Sequence, residues 1–188
     1  MTRLAFVVVA IAIFVCVPGR VVAQPHHECV RQGNAAFAAG QYDAAASAYR
    51  LALTHDPTSG VARANLGLTL FRLGDTPRAV EALTQAADAF VSAVDKAAVH
   101  YSLGTILATA GRLDEALAAY RTSLRLSDRE DARVNHALVW TWRQQSQGPG
   151  VARDLSPSRL DALRRVAREL DVAIIQRPTP TGPADGDR

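Results

Sequence analysis

The chain has 188 residues, 48% of them hydrophobic, and its 21 basic against 18 acidic side chains leave a formal charge of +3. So small an excess excludes the broad positive footprint that nucleic-acid binding needs. Its two cysteines, one of them in the N-terminal leader, exclude an internal disulfide framework.

Residues 1–23 read as a secretory signal peptide. Arg3 precedes the apolar run Leu4 to Val17, Pro18-Gly19 follow, and the small-residue site Val21-Val22-Ala23 places the cut after Ala23. The run is shorter than the ~20 residues that span a bilayer, so cleavage is favoured over a retained anchor, with the anchor left open. Cleavage removes Arg3 and Arg20 and brings the charge close to neutral. The expected location is periplasmic or secreted, with no integral span in the mature chain.

His26-His27-Glu28-Cys29 opens the mature chain. These residues carry the right atoms for a soft divalent metal, yet a structural zinc site needs a second ligand cluster, and none follows. The plainer reading makes Cys29 a small, half-buried apolar residue of the first helix. No metal and no cofactor is expected.

Three copies of one helical pattern come next, starting at Gly33, Gly67 and Gly104, with Ala45, Ala79 and Ala116 at one corresponding later place in each. Each copy carries a second glycine, Gly40, Gly74 or Gly111, followed by Gln-Tyr-Asp, Asp-Thr-Pro or Arg-Leu-Asp and another apolar stretch. The order is helix stop, short turn, helix start. Pro77 falls in an opening turn, where a missing N–H costs nothing, and Pro57 closes the first copy. The small residues, glycine on one helix and alanine on its partner, predict close backbone approach within each hairpin. Phe37, Tyr49, Leu53, Leu70, Leu83, Leu107, Tyr120 and Leu124 are then expected to fill the space between hairpins.

On these residues the chain resembles the tetratricopeptide repeat family, whose consensus orders a Leu-Gly pair, a Gly-x-Tyr/Leu-Asp turn, an alanine, an aromatic and a closing proline. Leu66-Gly67, Leu103-Gly104, Gly111-Arg112-Leu113-Asp114, Tyr49, Tyr120 and Pro57 match, and Cys29, Arg63, His100 and Asp128 depart. The resemblance implies an all-α solenoid of antiparallel hairpins, with repeats over 26–59, 60–96 and 97–128 and a partial copy over 129–146. It also implies a concave groove lined by the first helix of each hairpin. Carried over position by position, that groove comprises Val30, Asn34, Phe37, Ala64, Leu68, Phe71, Arg72, Tyr101, Thr105, Thr109, Leu138 and Trp142. One subclass clamps a partner's terminal carboxylate with cations beside asparagines. Asn34 and Asn65 match it, but Val30, Ala98 and Ser102 stand where the positive charges belong, which disfavours that mode.

In the partial copy, Ala132-Arg133-Val134-Asn135-His136-Ala137-Leu138 repeats Ala62-Arg63-Ala64-Asn65-Leu66-Gly67-Leu68. No second helix follows directly, only the polar, breaker-rich stretch Gln144-Gln145-Ser146-Gln147-Gly148-Pro149-Gly150, with the linker placed over 147–155. A helix over 156–175, capped by Ser156 and carrying the stripe Leu160, Leu163, Val166, Ala167, Leu170 and Ile174, is then either a cap on the stack or a docking or membrane-surface helix. The Pro- and Gly-rich tail 176–188 reads as disordered. Residues 130–170 also resemble the repeat proteins of bacterial aerotolerance (Bat) operons, which work beside membrane-attached von Willebrand A-type partners.

No Gly-rich phosphate loop, CxxC, HExxH or nucleophile elbow is present, and His55, His100 and His136 stand isolated on helices. Catalytic residues are therefore not expected. The sequence leads to an exported scaffold or adaptor that takes a protein or peptide partner in its groove. The rival reading is a metal- or redox-responsive envelope protein using His26, His27 and Cys29.

Overall fold

A computed structural model describes residues 25–146 and Asp161. The expected leader, linker, C-terminal helix and tail lie outside the described residues, Asp161 apart. Within residues 25–146 seven helices follow one another: α1 Pro25–Ala38, α2 Tyr42–His55, α3 Gly60–Arg72, α4 Thr76–Ala89, α5 Ala93–Thr109, α6 Leu113–Leu126 and α7 Glu130–Ser146. They pair as hairpins, α1 with α2, α3 with α4 and α5 with α6, and α7 packs on α6. The architecture is an all-α helical repeat solenoid. Among the described residues no helix is long and apolar enough to cross a membrane.

The hairpin turns are three copies of one device. Gly40, Gly74 and Gly111 have φ of +73°, +85° and +75°, a left-handed conformation that costs other residues a clash at Cβ. Around each glycine two hydrogen bonds recapture carbonyls that the helix end leaves open. Gly40 N–H donates to Phe37 O at 2.9 Å and Gln41 N–H to Ala36 O at 2.9 Å, and the same pair recurs at Gly74 and Asp75 and at Gly111 and Arg112. The starts of α3 and α4 are fixed by short polar side chains. Ser59 Oγ accepts from Ala62 N–H at 3.2 Å, and Asp75 Oδ1 from Arg78 N–H at 3.1 Å with Pro77 in the same turn.

Ala45, Ala79 and Ala116 are wholly buried. A Cβ built at Gly33 would lie 2.5 Å from Tyr49 Cε1, one at Gly67 2.8 Å from Leu83 Cγ, and one at Gly104 2.7 Å from the Tyr120 ring. Gly67 also nears the backbone of its alanine, with Ala79 O 3.2 Å away. A helical side chain covers the turn N-terminal to its own Cα, so each ring or isobutyl group leans back over the alanine one turn earlier and fills the glycine's notch. Tyr49, Leu83 and Tyr120 therefore fill the glycine notches of their own hairpins, and the Tyr49 and Tyr120 phenols also reach Asn65 and Asn135 on the helix that follows.

Candidate partner-binding face

Successive first helices touch one another, α1 with α3, α3 with α5 and α5 with α7, while each second helix meets the first helix of the next hairpin. The first helices thus sit on the inner side of the stack and form one continuous face.

Of the residues expected on that face, Asn34, Phe71, Arg72, Thr109 and Leu138 are half-buried and reach its surface. Phe37, Ala64, Leu68, Tyr101, Thr105, Trp142 and Val30 are buried. They form the wall behind the face. Trp142 lies on the same stripe of α7 as the buried Ala132, Asn135 and Val139, the stripe turned toward the preceding hairpin.

Polar groups in this wall are paired with one another. Tyr49 O–H donates to Asn34 Oδ1 at 2.8 Å, and Asn65 Nδ2 donates to the same oxygen at 3.0 Å, so one hairpin is tied to the next. Two hairpins on, Tyr120 and Thr105 share a hydrogen bond of 3.0 Å, and Asn135 Nδ2 donates to the Tyr101 hydroxyl at 2.9 Å. Burial pushes the Tyr49 and Tyr120 phenols well above the usual tyrosine range, which keeps both protonated. The middle hairpin repeats the arrangement in apolar form, with Leu68 and Leu83 at the corresponding positions.

Near the turn of the first hairpin, the Arg72 guanidinium lies 5.4 Å from the Tyr42 ring centre and 5.9 Å from that of Phe37, and the two rings meet edge to face at 5.2 Å. Arg129 covers the Tyr101 ring at 5.0 Å. Such cation–π contacts hold a charge at an apolar surface. Sequence reasoning placed Phe37 and Arg72 on one face but missed Tyr42 and Arg129. An aromatic at a helix start and an arginine one residue before a helix were the available signals.

The histidine–cysteine cluster does not assemble as a metal site. Cys29 is buried in the core, and the His26 ring is engaged by Ala52 O and Ser59 Oγ, each at 3.4 Å. Among the described residues no group of three His, Cys, Asp or Glu side chains is placed to hold a metal ion. His100 and His136 are held below the usual histidine range by burial.

The sequence profile described as Tetratricopeptide repeat matches residues 30–89 and, overlapping, 64–131. Among solved structures, the first TPR of Spaghetti (RPAP3) bound to HSP90 peptide SRMEEVD is similar with a TM-score of 0.59 and 22% identity, covering 64% of this chain and 94% of that one. The Arabidopsis OM64 TPR domain gives 0.57 and 21%, covering 63% and 96%. The crystal structure of MamA gives 0.59 and 18%, covering 79% of each chain. At these identities the likeness is one of fold. No curated protein matches the chain in sequence.

Proposed function

The chain belongs to the tetratricopeptide repeat family, and we propose that it is a non-enzymatic scaffold, exported to the bacterial cell envelope, that holds a protein or peptide partner along the face of its first helices. The observation that carries this reading is the composition of that face. Phe71 and Leu138 offer apolar seats, while Asn34, Arg72 and Thr109 offer polar groups beside them, the usual division between affinity and orientation. The buried wall of paired side chains holds these groups in place before any partner arrives, which lowers the ordering cost of binding.

A peptide is the natural class of ligand, since the Spaghetti domain of like fold holds one. Val30 and Ser102 are buried and uncharged and Ala98 carries no charge, so an internal segment suits this face better than a free carboxyl terminus. Export rests on residues 1–23, and the likeness of residues 130–170 to Bat-operon repeat proteins supports a partner attached to the membrane.

Photocrosslinking in cells from positions 71 and 138, compared with position 125 on the exposed side of α6, tests the reading. One protein captured from 71 and 138 alone supports it, and equal labelling from all three removes it. N-terminal sequencing of the mature protein checks the cut after Ala23 separately.

A further inference from the structure

The last described helix carries an apolar face that nothing among the described residues covers. The repeat register aligns Val134 with Ala64 and Tyr101, Ala137 with Gly67 and Gly104, and Trp140 with Leu70 and Leu107. In α3 and α5 these positions are buried: Ala64 is 0% and Tyr101 3% exposed, and Leu70 and Leu107 are each 5%. In α7 Val134 is 56% and Trp140 51% exposed, and Ala137 is exposed between them. Ala137 occupies the place at which Gly67 and Gly104 meet the second helix of their own hairpin, at Leu83 and Tyr120. Of α7, the stripe Ala132, Asn135, Val139 and Trp142 is the part that packs inward.

We infer that residues 156–175 of this same chain form the missing second helix, lying antiparallel on α7 over Val134, Ala137 and Trp140 and completing a fourth hairpin. The stripe Leu160, Leu163, Val166, Ala167, Leu170 and Ile174 is of the width that such a seat requires. Asp161 falls on the opposite side of that stripe at 100° per residue, and it is helical and exposed. Residues 147–155 contain the helix breakers Gly148, Pro149 and Gly150. Fully extended they span roughly 30 Å, more than the roughly 25 Å length of α7, so they place no restriction on docking. A segment tethered this closely is present at an effective concentration no free helix matches. The inference stands independently of what the groove receives.

Tryptophan quenching tests it, because the chain has only two tryptophans and Trp142→Phe leaves Trp140 alone. In the full chain carrying that change, Trp140 is expected to be shielded from acrylamide. Adding Leu163→Glu with Val166→Glu should raise the quenching constant several-fold, while Arg164→Glu with Arg168→Glu should leave it unchanged. Free quenching in the parent, or shielding lost on dilution because a second copy provides it, overturns the inference. Should the stripe variant unfold, oxidation of a Val134→Cys, Leu170→Cys chain decides: a disulfide within the monomer supports the hairpin, and a crosslinked dimer or none refutes it.

Discussion

Asn135 of α7 donates its side-chain amide to the Tyr101 hydroxyl of α5 at 2.9 Å, and both residues are buried, at 3% exposure each. The bond joins α7 to the stack through a group that water cannot replace. Tyr101→Phe leaves that donor without its acceptor and should cost about 1–3 kcal/mol, whereas Tyr101→Phe with Asn135→Leu should cost less than the two single changes together. Urea unfolding of the four proteins in the cycle measures it. Strict additivity would mean that the pair does not interact.

Gly104 and Gly111 should fail differently when substituted. Alanine at 104 meets the Tyr120 ring at 2.7 Å and is expected to cost about 1–3 kcal/mol by overpacking. Alanine at 111 meets open space, and its penalty, about 1–2 kcal/mol, comes from the +75° φ. Asparagine tolerates that conformation, so Gly111→Asn should be milder than Gly111→Ala, and Gly104→Asn harsher than Gly104→Ala. Thermal melts of the four variants give the order directly.

The apolar middle hairpin permits a transplant. Leu83→Tyr puts a hydroxyl beside Leu68, where no equivalent of Asn34 or Thr105 accepts it, and about 1–3 kcal/mol should be lost. Adding Leu68→Asn should recover part of that loss. A double variant no more stable than Leu83→Tyr alone would show that the tyrosine pairings elsewhere are incidental.

His100 is held below the ordinary histidine value of 6.5 chiefly by burial, with Arg125 and Lys96 adding to the depression and Asp88 opposing it. His136 is lowered by burial and by Arg121. The unfolded chain therefore binds protons first. Stability is fully present above pH 6.5, falls as the pH drops below that value, and levels off beneath the folded-state value. Urea midpoints between pH 7.5 and 5 should decline, and His100→Gln should flatten the decline. An unchanged slope in that variant would place the proton uptake elsewhere.

The repeat, the hairpin turns and the helical class were legible because glycine at a left-handed turn and apolar spacing along a helix are local properties. The groove was legible only in part. Neighbouring faces of a helix differ by one residue, about 100° of rotation, so Trp142 could be assigned to the open face from spacing although it packs toward the preceding hairpin. Phe37, Ala64, Leu68, Tyr101 and Thr105 lie on the first helices but are buried there, and the degree of burial depends on how far the next hairpin leans over, which spacing along one helix does not carry. The contact of Gly33 with Tyr49 was hidden for a related reason. The residue that fills the notch comes from the turn after Ala45, and the repeat offsets alone do not name it.

The alternation of wet and dry hairpins limits how freely these units can be cut and pasted. Excising residues 60–92 would bring α5 against the first hairpin and set Ser102 where Asn65 now reaches Asn34. Serine already spends its hydroxyl on Ala98 O and is too short to replace the amide. A shortened chain of this kind should regain stability on Ser102→Asn, and failure to do so would show that the modules are interchangeable after all. Similar outlines do not make the units equivalent, and their order along the chain is written into a few hidden amides and hydroxyls.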